Sequence, residues 1–378
     1  MTRKSTTNTT NTTTNHDDDA DVVIVETTEA GSSVGDSSLA VVDDADMQLA
    51  TEVEAPWMAA MPKGIRDLVK ATPVLIEGQL AALVDNLPGA DAESCRNMFE
   101  SLNPVREGLV TSVSDVRIPS AKIFQGTGDD PSRPTVAPVG SLYSSNTELL
   151  LCADKALARQ NKVSDTLRIA VVLLVESRSW WKPKRENFVP PVGVDPNSKA
   201  PICQSPDRKR GTRYGACDAC PYRPFAKGTY DADSCSDDAT IYFVVYGFKG
   251  LYSMQLKSGS LKLAVAPLKR IPGKLWDRWM ELSLVPQTNA KGKWFVAKIQ
   301  PFGTDEDAKG LPTSEAERHL FKGLSSTILH GAVMQSFARV YNPQEAGKPS
   351  GEAQPENTAD PDAIAKAAAT NFAGSGSL

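Results

Sequence analysis

Four of the six cysteines lie within one window of 33 residues, and this feature constrains most strongly how the chain can fold. Their pattern is Cys203-x13-Cys217-x2-Cys220-x14-Cys235. A Cys-x2-Cys pair lets two thiolates reach one tetrahedral ion from a tight turn, and two further ligands close the site. The sequence therefore predicts one structural zinc ion held by these four cysteines, with no open position for catalysis.

A second interpretation of the cysteine window stays open, because only one half of the pattern has the Cys-x2-Cys spacing. On that interpretation the four are free or redox-active thiols. The histidines His16, His319 and His330 lie far from the window, so an all-cysteine ligand set is favoured. The remaining cysteines, Cys95 and Cys152, stand in apolar, helix-like sequence and are predicted to be buried small hydrophobic residues.

The formal charge is distributed unevenly along the chain. Residues 1–60 carry 12 acidic and 2 basic side chains, a net charge of −10, whereas residues 201–300 carry 16 basic and 8 acidic side chains, a net charge of +8. An acidic tail beside a basic central domain indicates a polyanion-binding surface and a tail that competes for it. The alternative is a solubilising tail and an ordinary charged surface.

Composition divides the chain into four parts. Residues 1–55 are rich in Thr, Asn, Ser and Asp and are predicted to form a disordered acidic tail. Residues 56–115 have helical spacing, and residues 344–378 are predicted to be a second disordered tail. Between them, residues 116–343 are predicted to form the main domain. No apolar run is long enough for a membrane helix, and no apolar segment follows the N-terminus, so a cytoplasmic location is expected.

Hydrophobic periodicity predicts the elements of the main domain. Helices are expected over 63–103, 149–158 and 275–282, and a last helix from a capping box at Ser314 to about Val340. Strands are expected over 167–175, 240–248, 251–256, 261–267 and 293–301. This order predicts an α+β chain with an OB-like β-barrel, interrupted by a four-cysteine zinc ribbon at residues 200–238, with helical flanking segments and disordered tails.

Basic and aromatic residues are interleaved in the central domain, as in proteins that grip single-stranded nucleic acid. In the strand 293–301, Phe295, Ala297 and Ile299 share one face, which leaves Trp294 and Lys298 on the other. An outward Trp beside a Lys is typical of a base-stacking surface. The further residues predicted to contact nucleic acid are Trp180, Trp181, Lys182, Arg208, Lys209, Arg210 and Arg213. The cations around the cysteines have an alternative role, which is to balance the negative charge of a four-thiolate zinc site.

The pattern Cys203…Cys217-Asp218-Ala219-Cys220-Pro221…Cys235, followed by residues 261–268 and a Trp-bearing segment, resembles the bacteriophage single-stranded DNA-binding proteins with a zinc ribbon inserted in an OB-like domain. The resemblance covers about residues 115–310. It implies non-sequence-specific binding of single-stranded DNA in phage DNA replication or recombination, in the host cell cytoplasm. The acidic tail departs from that group, because it is N-terminal here, and the helical region 63–103 has no counterpart. Replication or recombination proteins are the expected partners of the tail.

Three other functions stay open, and one of them is the binding of double-stranded DNA or RNA. A zinc-stabilised adaptor that binds protein in replication or transcription would have a similar composition. An enzyme is not expected, because the chain has no His-x-Glu motif beside the cysteines, no Gly-x4-Gly-Lys-Ser/Thr loop, no Gly-x-Ser-x-Gly elbow and no His-Glu-x2-His motif. A carboxylate-based nuclease is the enzyme class that these absences leave open.

Overall fold

The structure is a computed structural model that describes residues 55–72, 77–102, 118–126, 137–145, 150–161, 163–183, 188–189, 191, 194, 197, 200–220, 222, 234–290, 292–302 and 311–342. Both predicted disordered tails lie outside the described residues, apart from Ala55. Among the described helices, none is both long enough and apolar enough to cross a membrane.

The helical region near the N-terminus is confirmed. After a short 3-10 turn at Pro56–Ala60, it consists of α1 (Lys63–Ala71), α2 (Glu77–Asp85) and α3 (Gly89–Leu102). Their apolar sides share one buried cluster with the last helices of the chain. Cys95 of α3 is fully buried within this cluster, as the sequence predicts, and burial raises the pKa of its thiol to about 12.

A curled antiparallel sheet, half of a barrel, forms the centre of the molecule and is compatible with an OB-like fold. Its main strands are β4 (Thr166–Trp180), β8 (Ser236–Val245), β9 (Leu251–Lys257), β10 (Arg278–Asn289) and β11 (Gly292–Pro301). Across the sheet they follow the order β11-β10-β4-β8-β9. The four predicted strands at 167–175, 240–248, 251–256 and 293–301 are thereby confirmed, with shifted ends.

The inner face of the sheet is closed by a helix, where the sequence predicts a strand over 261–267. A wide π-helical turn at Leu261–Val265 leads into α5 (Ala266–Arg270). The prediction is wrong because the residues that reach the inner core are Ala264, Val265 and Leu268, whose spacing is helical, and not every second residue. A helix between β9 and β10 is also where an OB-type barrel has one.

The second correction concerns the predicted helix over 275–282. Leu275–Asp277 is only a 3-10 turn, and β10 begins at Arg278. Trp279 packs in the outer, helix-covered cluster, whereas its neighbour Met280 packs in the inner core. Neighbouring side chains on opposite faces are the mark of a strand, so the three-residue spacing of Trp276 and Trp279 was misleading.

A small sheet, β1 (Ala121–Ile123), β2 (Ser141–Ser144) and β3 (Leu150–Ala153), lies against the open side of the half-barrel. The strand β3 replaces the first half of the helix predicted over 149–158, and α4 (Lys155–Asn161) follows it. Cys152 of β3 is fully buried in the inner core, as expected, and its thiol pKa is raised by burial to about 12.

The cysteine window does not form a zinc ribbon in the described residues. Its described part contains β5 (Cys203–Ser205), which pairs with the end of β4, a hairpin of two-residue strands, β6 (Arg210–Gly211) and β7 (Gly215–Ala216), and a 3-10 turn at Cys217–Ala219. Two residues, Leu311–Pro312, form the last strand, β12, which pairs with the start of β10.

The C-terminal helix begins at the predicted capping box. The Ser314 side chain accepts a hydrogen bond from the N–H of Glu317, and the Glu317 carboxylate accepts one from the N–H of Ser314. From there α6 (Glu315–Ile328) continues through a π-helical turn, Leu329–Val333, into α7 (Met334–Tyr341). The helix therefore ends one residue beyond the predicted limit at Val340.

Replacing the capping serine tests how much this box contributes. Ser314→Ala removes an acceptor for an otherwise unpaired helix N–H, so the free energy of unfolding should fall by about 1 kcal/mol. Urea denaturation followed by circular dichroism measures this. The control is Ser336→Ala, within α7, where alanine is the better helix former and no loss is expected. Equal stability of the two variants would contradict the capping role.

Candidate functional site

All four cysteines of the window line one cavity. Cys203 lies on β5, Cys217 begins a 3-10 turn that Cys220 follows, and Cys235 immediately precedes β8. The cavity has a volume of about 10 Å³, which is the space of one small atom or ion. The chain thus brings together thiols that are up to 32 positions apart in sequence.

Packing around these thiols is close. A Cβ atom added at Gly211 would lie 2.6 Å from Sγ of Cys203, so only glycine fits there. Burial raises the pKa of Cys217, and it raises the pKa of Cys235 to about 12. In the described part of the chain, however, no three or more His, Cys, Asp or Glu side chains stand in an arrangement that holds a metal ion. The four thiols therefore line one cavity, but in the described residues their arrangement is not that of a metal site.

Asp207 organises the loop that carries the predicted basic run. Its Oδ1 accepts hydrogen bonds from the backbone N–H groups of Lys209, at 2.8 Å, and Arg210, at 3.1 Å. The hydroxyl of Tyr341, at the end of α7, donates to its other carboxylate oxygen. Since the N–H of Cys217 bonds to the carbonyl of Lys209 at 2.7 Å, this turn also positions a cysteine.

Arg208, one of the predicted nucleic-acid contacts, forms several bonds within the protein. It adopts a positive φ of 63°, and its guanidinium pairs with the Glu176 carboxylate at 3.0 Å. It also donates to the carbonyl oxygens of Ser177 and Asp238. These bonds attach the loop to β4 and β8. The side chains of Lys182, Lys209, Arg210 and Arg213 are exposed, and the Arg210 guanidinium lies 5.8 Å from the ring centre of Tyr341.

The two neighbouring tryptophans have different environments. Trp180 is only 1% exposed and stacks on Tyr222, with 3.8 Å between ring centres. It belongs to the aromatic cluster beneath the cysteines, so the prediction that it stacks on bases is wrong. Trp181 is half-buried, and Nζ of Lys257 lies 4.0 Å from its ring centre.

A groove of about 590 Å³ lies at the seam of the half-barrel, where the edge strands β9 and β11 approach the small sheet. Among the described residues that line it are four aromatic side chains and two cations, and none is an aspartate or glutamate. The cations are Lys122 and Lys257, and the aromatic residues are the half-buried Phe124 and Trp294 and the buried Tyr143 and Phe295.

The strand β11 places Trp294 at this groove. Phe295, Ala297 and Ile299 are buried, as the alternation predicts, while Trp294 and Lys298 are half-buried. Val296 is also buried, because the edge of the strand is packed against Gly259: a Cβ atom there would lie 3.0 Å from the valine. The alternation of side chains between the two faces of a strand does not predict the contacts made at the edge of the sheet.

Side chains satisfy the open edge of β11 beside the groove. The amide of Gln125 bonds to both the N–H and the carbonyl of Phe295, at 2.8 and 2.7 Å. The N–H of Ala297 donates to the hydroxyl of Ser260 at 3.0 Å. These bonds give the groove a rigid wall and prevent the edge from pairing with another strand.

Lys257 lies beside a buried carboxylate. It is directly opposite Asp238 in the β8–β9 register, and Asp238 is fully buried. Burial raises the pKa of Asp238 to about 6, an effect that the Lys257 charge opposes. Burial likewise lowers the pKa of Lys257. The ammonium group is therefore partly desolvated where it meets the groove.

Sequence reasoning missed Lys122, Tyr143, Phe124 and Lys257 as groove residues. They come from three separate elements, and no local pattern marks them. No protein-family model, curated protein or solved structure matches this chain. The relation to phage single-stranded DNA-binding proteins therefore remains a resemblance.

Substitutions of the adjacent tryptophans test their different environments. Trp180→Ala should lower the free energy of unfolding by about 3–5 kcal/mol, because it empties the aromatic cluster beneath the cysteines. Trp181→Ala, the matched control, should cost much less, since its ring is half-buried. Thermal unfolding followed by circular dichroism compares the two variants. A stable Trp180→Ala protein would contradict the packing described here.

Proposed function

We propose that this protein binds single-stranded DNA without sequence specificity, in replication or recombination, and that the seam groove is its binding site. One observation carries the proposal: the groove combines the half-buried rings of Trp294 and Phe124 with Lys122 and Lys257, and none of its described lining residues is acidic. Single strands are bound by aromatic rings that stack on bases and cations that track phosphates.

The environment of Lys257 supports this choice of ligand. Because its ammonium group is partly desolvated, a phosphate brought beside it interacts more strongly than it would in bulk water. The groove is also concave and has two half-buried aromatic rings in its lining, Phe124 and Trp294, which favours bases that are not already stacked on one another. Duplex DNA keeps its bases stacked and paired, so a single strand fits better.

Protein binding by a zinc-stabilised adaptor is the second candidate, and a different groove favours it. This second groove, of about 440 Å³, lies between α1, β4 and the C-terminal helix and is lined by apolar residues such as Ile65, Leu329 and Phe337. Leu68 at its border is 48% exposed. Titration with oligonucleotide separates the two functions, since an adaptor would bind none.

We also propose one structural zinc ion at Cys203, Cys217, Cys220 and Cys235. The fit rests on the donor set and on the cavity that the four thiols line. When bound, the ion would cross-link β5, the 3-10 turn and the start of β8, and it would hold the thiols as thiolates. Its role would be to rigidify the loop that Asp207 and Arg208 attach to the sheet.

Metal analysis tests the zinc proposal. The purified protein should contain one zinc per chain, and Cys217→Ser should lose the metal and unfold more readily, because metal binding contributes folding energy. Cys95→Ser is the control, since Cys95 lies in the helical cluster, and it should keep the metal. A native protein without metal, in which all four thiols react freely, would rule the site out.

Fluorescence titration with oligo(dT) tests the DNA-binding proposal. Trp294→Ala should cost about 1–3 kcal/mol of binding free energy, the contribution of one stacked base. Lys298→Ala should lower the slope of log affinity against log salt by about 0.7, as expected for one lost contact with single-stranded phosphate. The control Trp57→Ala removes a half-buried tryptophan of the first turn and should not alter affinity.

Two results would count against the groove. If Trp294→Ala unfolds the protein, the ring belongs to the core. If the unaltered protein shows no salt-sensitive quenching by oligo(dT), the DNA-binding function itself fails and the adaptor function takes its place.

A further inference from the structure

Arg168 is held between two aromatic rings on the outer face of the sheet. Its Cζ lies 3.7 Å from the ring centre of Phe302 and 4.3 Å from that of Tyr246. Tyr246 is 46% exposed, and it rests edge-on against the buried Trp279, with 5.0 Å between ring centres. The guanidinium is therefore fixed in its plane before any ligand arrives.

The natural partner of this arginine is engaged elsewhere. Glu281 is directly opposite Arg168 in the β10–β4 register, but its carboxylate accepts a hydrogen bond from the Gln300 amide at 2.9 Å. Among the described residues, no carboxylate forms an ion pair with Arg168. A guanidinium carries five N–H donors at its edge, and its two ring contacts supply no oxygen acceptor for them. The edge is left for a ligand with paired oxygen acceptors.

This stack shares a face with Lys298 and Gln300. Directly paired residues of an antiparallel sheet lie on the same side, and Gln300 pairs with Glu281, which pairs with Arg168. Lys298 is two residues from Gln300 and therefore also lies on that side. Trp294 precedes Gln300 by six residues, about 20 Å along the strand, and Arg168 is two strands away, about 10 Å across the sheet.

We propose that Arg168, held by Tyr246 and Phe302, is a second contact for the same single strand, and that its guanidinium binds a phosphodiester of DNA leaving the seam groove. This inference rests on the proposed function. The single-stranded DNA would cross β11 and β10 over Lys298 before it reaches Arg168 and its two aromatic rings. Planar guanidinium matches the paired oxygens of a phosphate, and the exposed ring of Tyr246 offers a base a place to stack.

Oligonucleotide length provides the test, because a ligand short enough to be held within the groove leaves the stack empty. Affinities are measured for oligothymidylates of about 4 and about 16 nucleotides, the limits of site size for one OB fold. Arg168→Lys keeps the charge but loses the planar donor pair. It should weaken binding of the longer oligonucleotide about tenfold, the loss of one charge-assisted hydrogen bond. The shorter one should bind as it does to the unaltered protein.

Phe302→Leu is the second variant, since it removes one ring of the stack without changing charge, and it should weaken the longer oligonucleotide in the same way. Arg159→Lys, on the exposed side of α4, is the matched control and should bind both lengths normally. Circular dichroism melting checks that each variant is folded.

The inference is overturned if Arg168→Lys and Phe302→Leu bind both lengths as tightly as the unaltered protein, while the proposed function stands. It is also overturned if they lose binding of polyglutamate and keep that of DNA, because the stack would then serve an acidic protein segment. If the unaltered protein binds neither oligonucleotide, the proposed function fails first and the inference fails with it.

Discussion

The burial of both faces of β4 is the constraint on which the rest of the structure depends. Ile169 and Val171 point into the inner core, and Ala170 and Val172 into the helix-covered cluster, all fully buried. This strand of 15 residues pairs with β10 at its start, with β8 along most of its length and with β5 at its end. It therefore connects the half-barrel to the cysteine cavity, and displacing it would open both cores.

Towards its C-terminal end, β4 leaves the apolar core, and its charged side chains form ion pairs there. Glu176 pairs with Arg208 at 3.0 Å and with Lys269 at 2.5 Å, and Arg178 pairs with Asp237 at 3.0 Å. All are at least partly exposed, so each pair contributes modestly to stability. The Arg208 pair attaches the cysteine loop to β4, the Lys269 pair attaches α5 to the same strand, and the Arg178 pair joins β4 to β8.

Curling of the sheet also creates the proposed binding groove. A flat sheet would leave β9 and β11 far apart, but the half-barrel brings both edges towards the small sheet, and the π-helical turn at Leu261–Val265 contacts both strands. The cations and rings of three elements then face one space. In the proposed function, single-stranded DNA continues from this groove over the outer face of β11 and β10 to Arg168, whose guanidinium contacts two aromatic rings.

Sequence periodicity by itself determined the N-terminal helices, four strands of the sheet, the burial of Cys95 and Cys152 and the helix that begins at Ser314, because local propensity and burial agree there. The spacing of the cysteines in the sequence also identified the cysteine window. Only the tertiary structure decided that residues 261–270 are helical, that Trp180 is buried, that Arg208 is paired and which residues share the seam groove. Those outcomes depend on contacts between segments distant in sequence, and periodicity within one segment carries no record of what lies opposite it.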